Sequence, residues 1–267
     1  MIIIKEEIKE KMISLYKEGK SLNEIAKILG YCKETIRRHL KKKGIKFFIG
    51  KSNAFMKIED DLKQLLIGSL LGDGSFCSNG KHTKNYYLSI VHCIKQLEYL
   101  KYKVNILNKY NLASPIQLLQ HRDERFKNPI YKECKEKSRL HPIFTNIREK
   151  YYDSTGHKRV HYEFVKDIEA LGLAIWYMDD GYVTNNSCIL STCSFSLEEQ
   201  KILSDVLLTK FNLHFNIGKN DNSMYLQARD FSKFVEIIKP YVIDSMKYKL
   251  IPYRKRVLYK SGELLEG

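Results

Sequence analysis

Two apolar segments, each ending in Asp-Gly, constrain the fold of this chain more than any other feature. The first is LLIGSLLGDGSF (65–76) and the second is GLAIWYMDDGYV (172–183); each is a helical run leading directly into the start of a strand. Corresponding points recur in the same order at separations of 107, 101 and 91 residues. Such a repeat predicts two pseudo-equivalent α/β halves, at 58–165 and 166–267, after a linker at 47–57.

Each half continues with the same series of predicted elements. A strand-like stretch follows at 86–93 in the first half and at 187–193 in the second. An amphipathic helix comes next and ends in LNKYNL (107–112) or LTKFNL (208–213). The series predicts an α+β fold that is built twice, as a pseudo-twofold pair.

Residues 1–46 have the pattern of a separate, small all-α domain. A helix with a capping box of Ser21 and Glu24 is followed by a glycine turn and by a third helix that begins near Lys33. Helix, turn and helix is the helix-turn-helix pattern, and residues 20–46 resemble the modules of resolvases and sigma factors. The expected core is Leu22, Ile25, Ala26, Leu29, Ile36 and Leu40. The predicted DNA-reading residues are Lys33, Thr35, Arg37 and Arg38.

The charge balance favours a polyanion as the partner. The chain has 46 Lys and Arg against 31 Asp and Glu, a net charge of +15. Its 43% hydrophobic content is enough for a core, which excludes a disordered protein. No apolar run approaches the roughly 18 residues of a membrane span, and no signal-peptide pattern is visible. The 6 cysteines show no zinc spacing, so we expect reduced thiols in an intracellular, cytoplasmic protein of bacterial, phage or organellar origin.

Two carboxylates are the candidate chemical groups of the repeat. Asp73 continues the helical face of Leu66 and Ser69, and Asp180 ends the second apolar helix in the same way. If the halves pack helix against helix, the two acids meet and repel each other unless a cation neutralises them. Oxygen ligands with few nitrogen or sulfur partners suit Mg²⁺, which can activate water near a phosphodiester. The alternative is that each Asp-Gly is only a helix stop and turn.

The two segments resemble a known family. LIGSLLGDG (66–74) and LAIWYMDDG (173–181) are similar to the two nonapeptides of a single-chain, two-motif LAGLIDADG homing endonuclease, over residues 58 to about 255. The resemblance implies an endonuclease with one curved antiparallel sheet per half. It also implies metal binding by Asp73 and Asp180, helped by the backbone carbonyls of Gly72 and Asp179.

The resemblance further implies a basic residue near each scissile phosphate, here Lys158 and Lys249, to polarise the attacking water. The chain departs from the motif at its often acidic sixth position, which is Leu71 or Met178. Asp179 is an extra carboxylate with two possible roles. It could be a solvated helix cap, or it could support the metal ligands without binding the metal through its side chain. Close packing of the motif helices is expected to rest on Gly68, Ser69 and Gly72.

Polar and basic residues fill the strand-like stretches. In the family the sheets lie in the major groove, where Arg, Lys, Asn and Gln distinguish base edges. The candidate contacts, proposed as a group, are Lys81, Lys84, Arg122, Arg125, Lys219, Gln227 and Arg229.

The sequence thus predicts a monomeric, site-specific homing endonuclease that cuts both strands of double-stranded DNA with Mg²⁺ or another divalent cation such as Mn²⁺. In this family such breaks promote copying of the mobile element, often an intron, that carries the gene. Two alternatives stay open on the same fold. One is a DNA-binding regulator that does not cut, and the other is a maturase that binds its host intron RNA.

Overall fold

The computed structural model describes residues 4–17, 20, 22–45, 58–80, 83–122, 130–219 and 221–252. The predicted linker at 47–57, the Ser21 cap and the candidate DNA contacts Lys81 and Arg125 lie outside these residues.

The first three helices form a bundle with a core of its own. They are α1 (Glu6–Lys17), α2 (Leu22–Leu29) and α3 (Lys33–Lys42). Apolar residues at helical spacing bury Ile25, Ile36 and Leu40 of the expected core, together with Met12 of α1. Of the other predicted core residues, Leu22, Ala26 and Leu29 pack against this cluster and are partly buried.

The first half of the repeat combines three helices with a four-stranded sheet. The elements are α4 (Asp60–Leu71), β1 (Ser75–Cys77), β2 (Tyr87–Cys93), α5 (Leu97–Lys109), β3 (Gln117–Arg122), β4 (Ile130–Lys137) and α6 (Pro142–Tyr151). The sheet is antiparallel, with strand order β1-β2-β4-β3. Short 3₁₀ turns, such as Ile94–Gln96, join some of the elements.

The second half repeats the same plan after a short helix, α7 (Tyr162–Val165). Its elements are α8 (Ala170–Asp180), β5 (Gly181–Val183), β6 (Cys188–Leu190), α9 (Leu197–Phe211), β7 (Phe215–Ile217), β8 (Met224–Leu226) and α10 (Phe231–Ile238). The antiparallel strand order, β5-β6-β8-β7, is that of the first sheet. In both LNKYNL and LTKFNL the Asn before the last residue, Asn111 or Asn212, lies in the left-handed region. The predicted repeat is therefore confirmed.

Helices α4 and α8 pack directly against each other, and a buried apolar cluster on both sides of them spans the two halves. The backbones approach closely because glycines face the partner helix. A Cβ atom on Gly68 would lie 2.5 Å from the carbonyl oxygen of Gly172, and one on Gly72 would overlap the Cβ of Asp179. The expected set of small residues, Gly68, Ser69 and Gly72, was incomplete, because Gly172 also allows the close approach. A Cβ atom added to Gly172 would lie 2.5 Å from Oε1 of Gln64.

Among the helices in the described ranges, none is both long and apolar enough to cross a membrane.

Candidate functional site

The packing of α4 against α8 brings the two predicted acids, Asp73 and Asp180, into the same site. Asp73 is the second residue after the end of α4, and Asp180 is the last residue of α8. The pKa of Asp180 is raised to about 6, first by burial and then by the negative charges of Asp73 and Asp179. Burial also acts to raise the pKa of Asp73, but that pKa is lowered, since nearby His92 and the ammonium groups of Lys103 and Lys249 outweigh burial. The acids thus share one strongly charged, partly buried site.

Two lysines are placed symmetrically about this site. Lys158 Nζ donates to the carbonyl oxygen of Gly72 at 2.7 Å, and Lys249 Nζ donates to that of Asp179 at 2.8 Å. Each ammonium group therefore binds the carbonyl just before one of the predicted acids. Burial lowers the pKa of both lysines, against the opposing effect of the nearby carboxylates. The structure thus brings the predicted acids, carbonyls and lysines together.

Asp179 is the extra carboxylate, and its side chain has no solvent exposure. Its two oxygens accept hydrogen bonds from Lys103 Nζ at 2.6 and 2.8 Å, and one also accepts from the Tyr99 hydroxyl at 2.8 Å. The backbone N–H of Asp73 donates to it at 3.2 Å. A solvated cap is therefore wrong for Asp179, which lies behind Asp73 and holds its backbone.

Sequence reasoning missed Lys103, although the repeat carried a signal. The buried positions of α5 recur in α9 one hundred residues later. In that comparison Lys103 takes the place of Leu203, and both side chains are fully or almost fully buried. A lysine at a core position of a repeat calls for a buried anion, and Asp179 is that anion.

Sequence reasoning also missed His92, which is buried on β2 beside the candidate site. Its Nδ1 lies 3.2 Å from Oδ2 of Asp73, and its Nε2 lies 3.9 Å from Oδ1 of Asp179. Potential ligand atoms of these three residues all lie within 4.8 Å of one another. Carboxylate oxygens with one imidazole nitrogen are a suitable donor set for a divalent cation.

Most of the DNA contacts predicted for the two halves lie, where the structure describes them, beside strands or in turns. Lys84 precedes β2, Lys219 lies in the turn between β7 and β8, and Arg229 lies in a 3₁₀ turn. Gln227 directly follows β8 and its amide donates to Asn216 at 3.4 Å. Of the candidate contacts of the two halves that the structure describes, Arg122 alone lies within a strand.

Strand register places Arg122, which is exposed, on the same face of its sheet as His92. Directly paired residues of an antiparallel sheet point to the same face, and alternate residues of one strand share a face. Leu118 pairs with buried Cys134, which pairs with His92, so Arg122 shares this inner face. The outer face of the first sheet carries a polar set that the sequence did not single out: Ser89, Gln117, Lys135 and Lys137.

The second sheet and helix α3 also present polar groups. The register of β5, β6, β8 and β7 aligns Tyr182, Ile189, Tyr225 and Asn216 on one outer face. On α3, Lys33, Arg37 and Arg38 are exposed, whereas Thr35 is half-buried with its hydroxyl 3.0 Å from Cys32 Sγ.

Comparisons with known proteins agree with this architecture. Residues 63–234 match the model of the LAGLIDADG DNA endonuclease family, and residues 10–43 match that of a helix-turn-helix domain. The probable intron-encoded endonuclease 1 of Wickerhamomyces canadensis is 30% identical over 200 residues, which cover 71% of this chain and 83% of that protein. The cytochrome b mRNA maturase bI2 of Debaryomyces hansenii is 29% identical over 213 residues, covering 73% of this chain and 76% of that one. Against three mycobacterial proteins named RecA, the match spans about half of the relative's length.

One solved structure shows the same fold. It is that of the homing endonuclease I-WcaI bound to its DNA recognition sequence, with a TM-score of 0.64 and 24% identity. The match covers 81% of this chain and 92% of that one. The family match over more than half of the sequence establishes that this chain, a nuclease with a helix-turn-helix domain, belongs to the LAGLIDADG DNA endonuclease family.

Proposed function

We propose that the chain is a site-specific homing endonuclease that makes Mg²⁺-dependent double-strand breaks in DNA. One observation carries the proposal: α4 and α8 bring two acids together, and a partly buried lysine binds the carbonyl before each of them. One acid and one lysine for each half suit two phosphodiester bonds, one on each strand. Because both halves belong to one chain, a monomer suffices.

Asp73 and Asp180 would hold the divalent cation, with the Gly72 and Asp179 carbonyls beside them. A cation held there would supply activation of a water molecule and stabilisation of the leaving oxygen. Lys158 and Lys249 offset the negative charge that develops on each phosphate. The carboxylate of Asp179 accepts a hydrogen bond from the backbone N–H of Asp73. Asp179 therefore positions Asp73 and takes no part in the chemistry itself.

The outer faces of the two sheets are the proposed DNA-contacting surfaces, together with α3. Lys135 and Lys137 on the first sheet can bind phosphates or guanine, and Asn216 on the second can bind adenine. The relative described as bound to its DNA recognition sequence supports this partner.

The test is cleavage of a DNA library from which the recognition site is selected. Wild-type protein should cut with Mg²⁺ or Mn²⁺ and not with EDTA. Asp73→Asn and Asp180→Asn should abolish double-strand cleavage, a loss of several kcal/mol of transition-state stabilisation, while binding persists. The control is Asp205→Asn, at an exposed acid on α9. Near-normal cutting by either site variant would overturn the assignment.

The same preparations test the surface. Lys135→Ala should weaken binding of the selected DNA, and Arg122→Ala, on the other face of the same sheet, should weaken it less. The reverse order would place the DNA on the inner face.

A maturase is the second candidate function, because one relative of 29% identity is named a maturase. A splicing assay on the host transcript, if the gene lies in an intron, separates the two activities. A regulator that binds without cutting is less consistent with two retained acids, and the cleavage assay distinguishes it.

A further inference from the structure

His92 is a buried histidine that the resemblance to known endonucleases did not bring forward. We propose that His92 supplies a nitrogen ligand to the divalent cation held by Asp73, so that the first half has a mixed nitrogen–oxygen metal site. The inference rests on the proposed function, because it specifies the metal chemistry of the same site.

The position of His92 on β2 aims its ring at the junction of the halves. Ile90, His92 and the paired Cys134 share the inner face of the sheet. The ring packs against Tyr99 with centroids 5.0 Å apart, and only 1% of the side chain is exposed. The imidazole is therefore held in one orientation beside Asp73.

Neither ring nitrogen of His92 makes a hydrogen bond within the part of the chain that the structure describes. The 3.2 Å contact of Nδ1 with Asp73 is close enough for attraction, but its direction is not that of a hydrogen bond. Buried polar groups are nearly always paired, so such a group needs an explanation. By contrast, buried His141 uses its Nδ1 to accept from the N–H of Ile143.

The separation of the two atoms is suitable for a shared cation. Ligands at about 2.1 Å from an octahedral cation and at right angles are about 3.0 Å apart. Nδ1 of His92 and Oδ2 of Asp73 are 3.2 Å apart. Only a small adjustment would place both atoms on one ion.

Asp179 does not compete for that ion. Both of its carboxylate oxygens already accept from Lys103, and one also accepts from Tyr99. The ammonium group neutralises this acid, which leaves Asp73 and His92 as the donors that face the site from the first half.

The second half lacks an equivalent nitrogen. In SIVHC (89–93) and ILSTC (189–193) the position of His92 is taken by Thr192. Thr192 is buried, and its hydroxyl donates to the carbonyl of Asn222 at 2.9 Å. Imidazole suits transition metals such as Fe²⁺, Ni²⁺ and Zn²⁺ better than Mg²⁺, so the two halves should differ in metal preference.

The experiment is electron spin echo spectroscopy of Mn²⁺ bound to the full-length protein in complex with its selected DNA site. The wild type should show coupling of Mn²⁺ to a histidine nitrogen, and labelling histidine with ¹⁵N should change that coupling. His92→Asn and His92→Leu should lose it and bind Mn²⁺ about tenfold or more weakly. His141→Asn, which keeps a side chain able to cap α6, should retain the wild-type signal.

The outcomes are distinguishable. Mn²⁺ bound without histidine coupling overturns this inference and leaves the proposed nuclease intact; His92 would then only orient Asp73. Failure of the wild-type complex to bind Mn²⁺ overturns the proposed metal-dependent function as well. If both His92 variants fail to fold, the isotope experiment on wild-type protein still tests for a histidine ligand, and absence of the coupling overturns the inference; among the described residues, His92 is the histidine whose ring nitrogen lies within 4.8 Å of the Asp73 carboxylate oxygen.

Discussion

At the scale of single residues, the buried ion pair of Lys103 and Asp179 joins the two halves, with one partner from each half. In the repeat, Asp179 takes the place of Gly72, and Lys103 takes that of Leu203. The two charged groups compensate each other inside the protein, with Lys103 Nζ 2.6 Å from the carboxylate. Removing one partner leaves a buried charge uncompensated, whereas replacing both with apolar groups is often neutral.

We therefore expect Lys103→Leu alone, or Asp179→Ala alone, to lower the free energy of unfolding by about 3–5 kcal/mol. The double variant Lys103→Leu/Asp179→Ala should recover most of that loss. Urea unfolding of all four proteins measures the coupling between the two sites. Strictly additive losses would show that the pair has no joint role.

Glu136 is expected to make the stability of the folded protein depend on pH. Its side chain is buried on β4, and burial raises its pKa to about 7, although the Ser114 N–H donates to it at 2.7 Å. Because the pKa is higher in the folded state than its unfolded value of 4.5, the contribution of this group to stability is fully present below pH 4.5. That contribution is lost as the pH rises through about 7. This acid therefore destabilises the fold at alkaline pH.

Glu136→Gln keeps an oxygen acceptor for Ser114 and removes the charge. At pH 8 it should unfold with a free energy about 2 kcal/mol higher than wild type, and at pH 5 the difference should be much smaller. Thermal unfolding across this pH range is the measurement. A constant difference at every pH would point to packing instead of ionisation.

At the scale of elements, the pair α4–α8 depends on a complementarity of small and large residues. Gly68 faces Ile175, and Gly72 faces Asp179, although Ile175 and Asp179 stand at the equivalent motif positions of the other helix. A glycine in one half thus admits a larger side chain from the other. Small residues at these positions in one of the two helices are therefore enough for close packing.

Gly68→Ala should consequently destabilise the protein by about 1–3 kcal/mol, because the new Cβ would lie 2.5 Å from the Gly172 carbonyl oxygen and 2.8 Å from Ile175 Cβ. Alanine would otherwise favour the helix. Ser69→Ala is the matched control on the next residue: its buried hydroxyl has no hydrogen-bond partner among the described residues, so its loss should be close to neutral. Unfolding by urea compares the two, and equal effects would exclude the close contact as the cause.

At the scale of the whole molecule, charge is concentrated in the N-terminal part. Residues 1–57 contain fifteen Lys and Arg against six Asp and Glu, more than half of the net +15 on about a fifth of the chain. The helix-turn-helix bundle has a core separate from that of the two halves. A tethered module of this kind adds affinity at high effective concentration without entering the cleavage site.

Deletion of residues 1–46 should leave a folded, Mg²⁺-dependent nuclease that binds DNA more weakly. The dependence of affinity on salt should become shallower because fewer phosphates are neutralised, and the footprint should shorten on one side of the cleavage site only. Footprinting and salt titration of both proteins on the same DNA measure these effects. An unchanged footprint and salt slope would indicate that the module contacts something else.

The sequence by itself determined the repeat, the two helices that end in Asp-Gly and the helix-turn-helix, because helical periodicity and turn residues act over a few neighbours. Family resemblance added the candidate acids and lysines. The contacts that only the tertiary structure decided join residues far apart: Lys103 with Asp179, and His92 with Asp73. The inner-face position of Arg122 likewise depended on strand register, since a shift of one residue reverses every side chain. Packing between halves and pairing between strands are properties of the folded chain, and no local pattern encodes them.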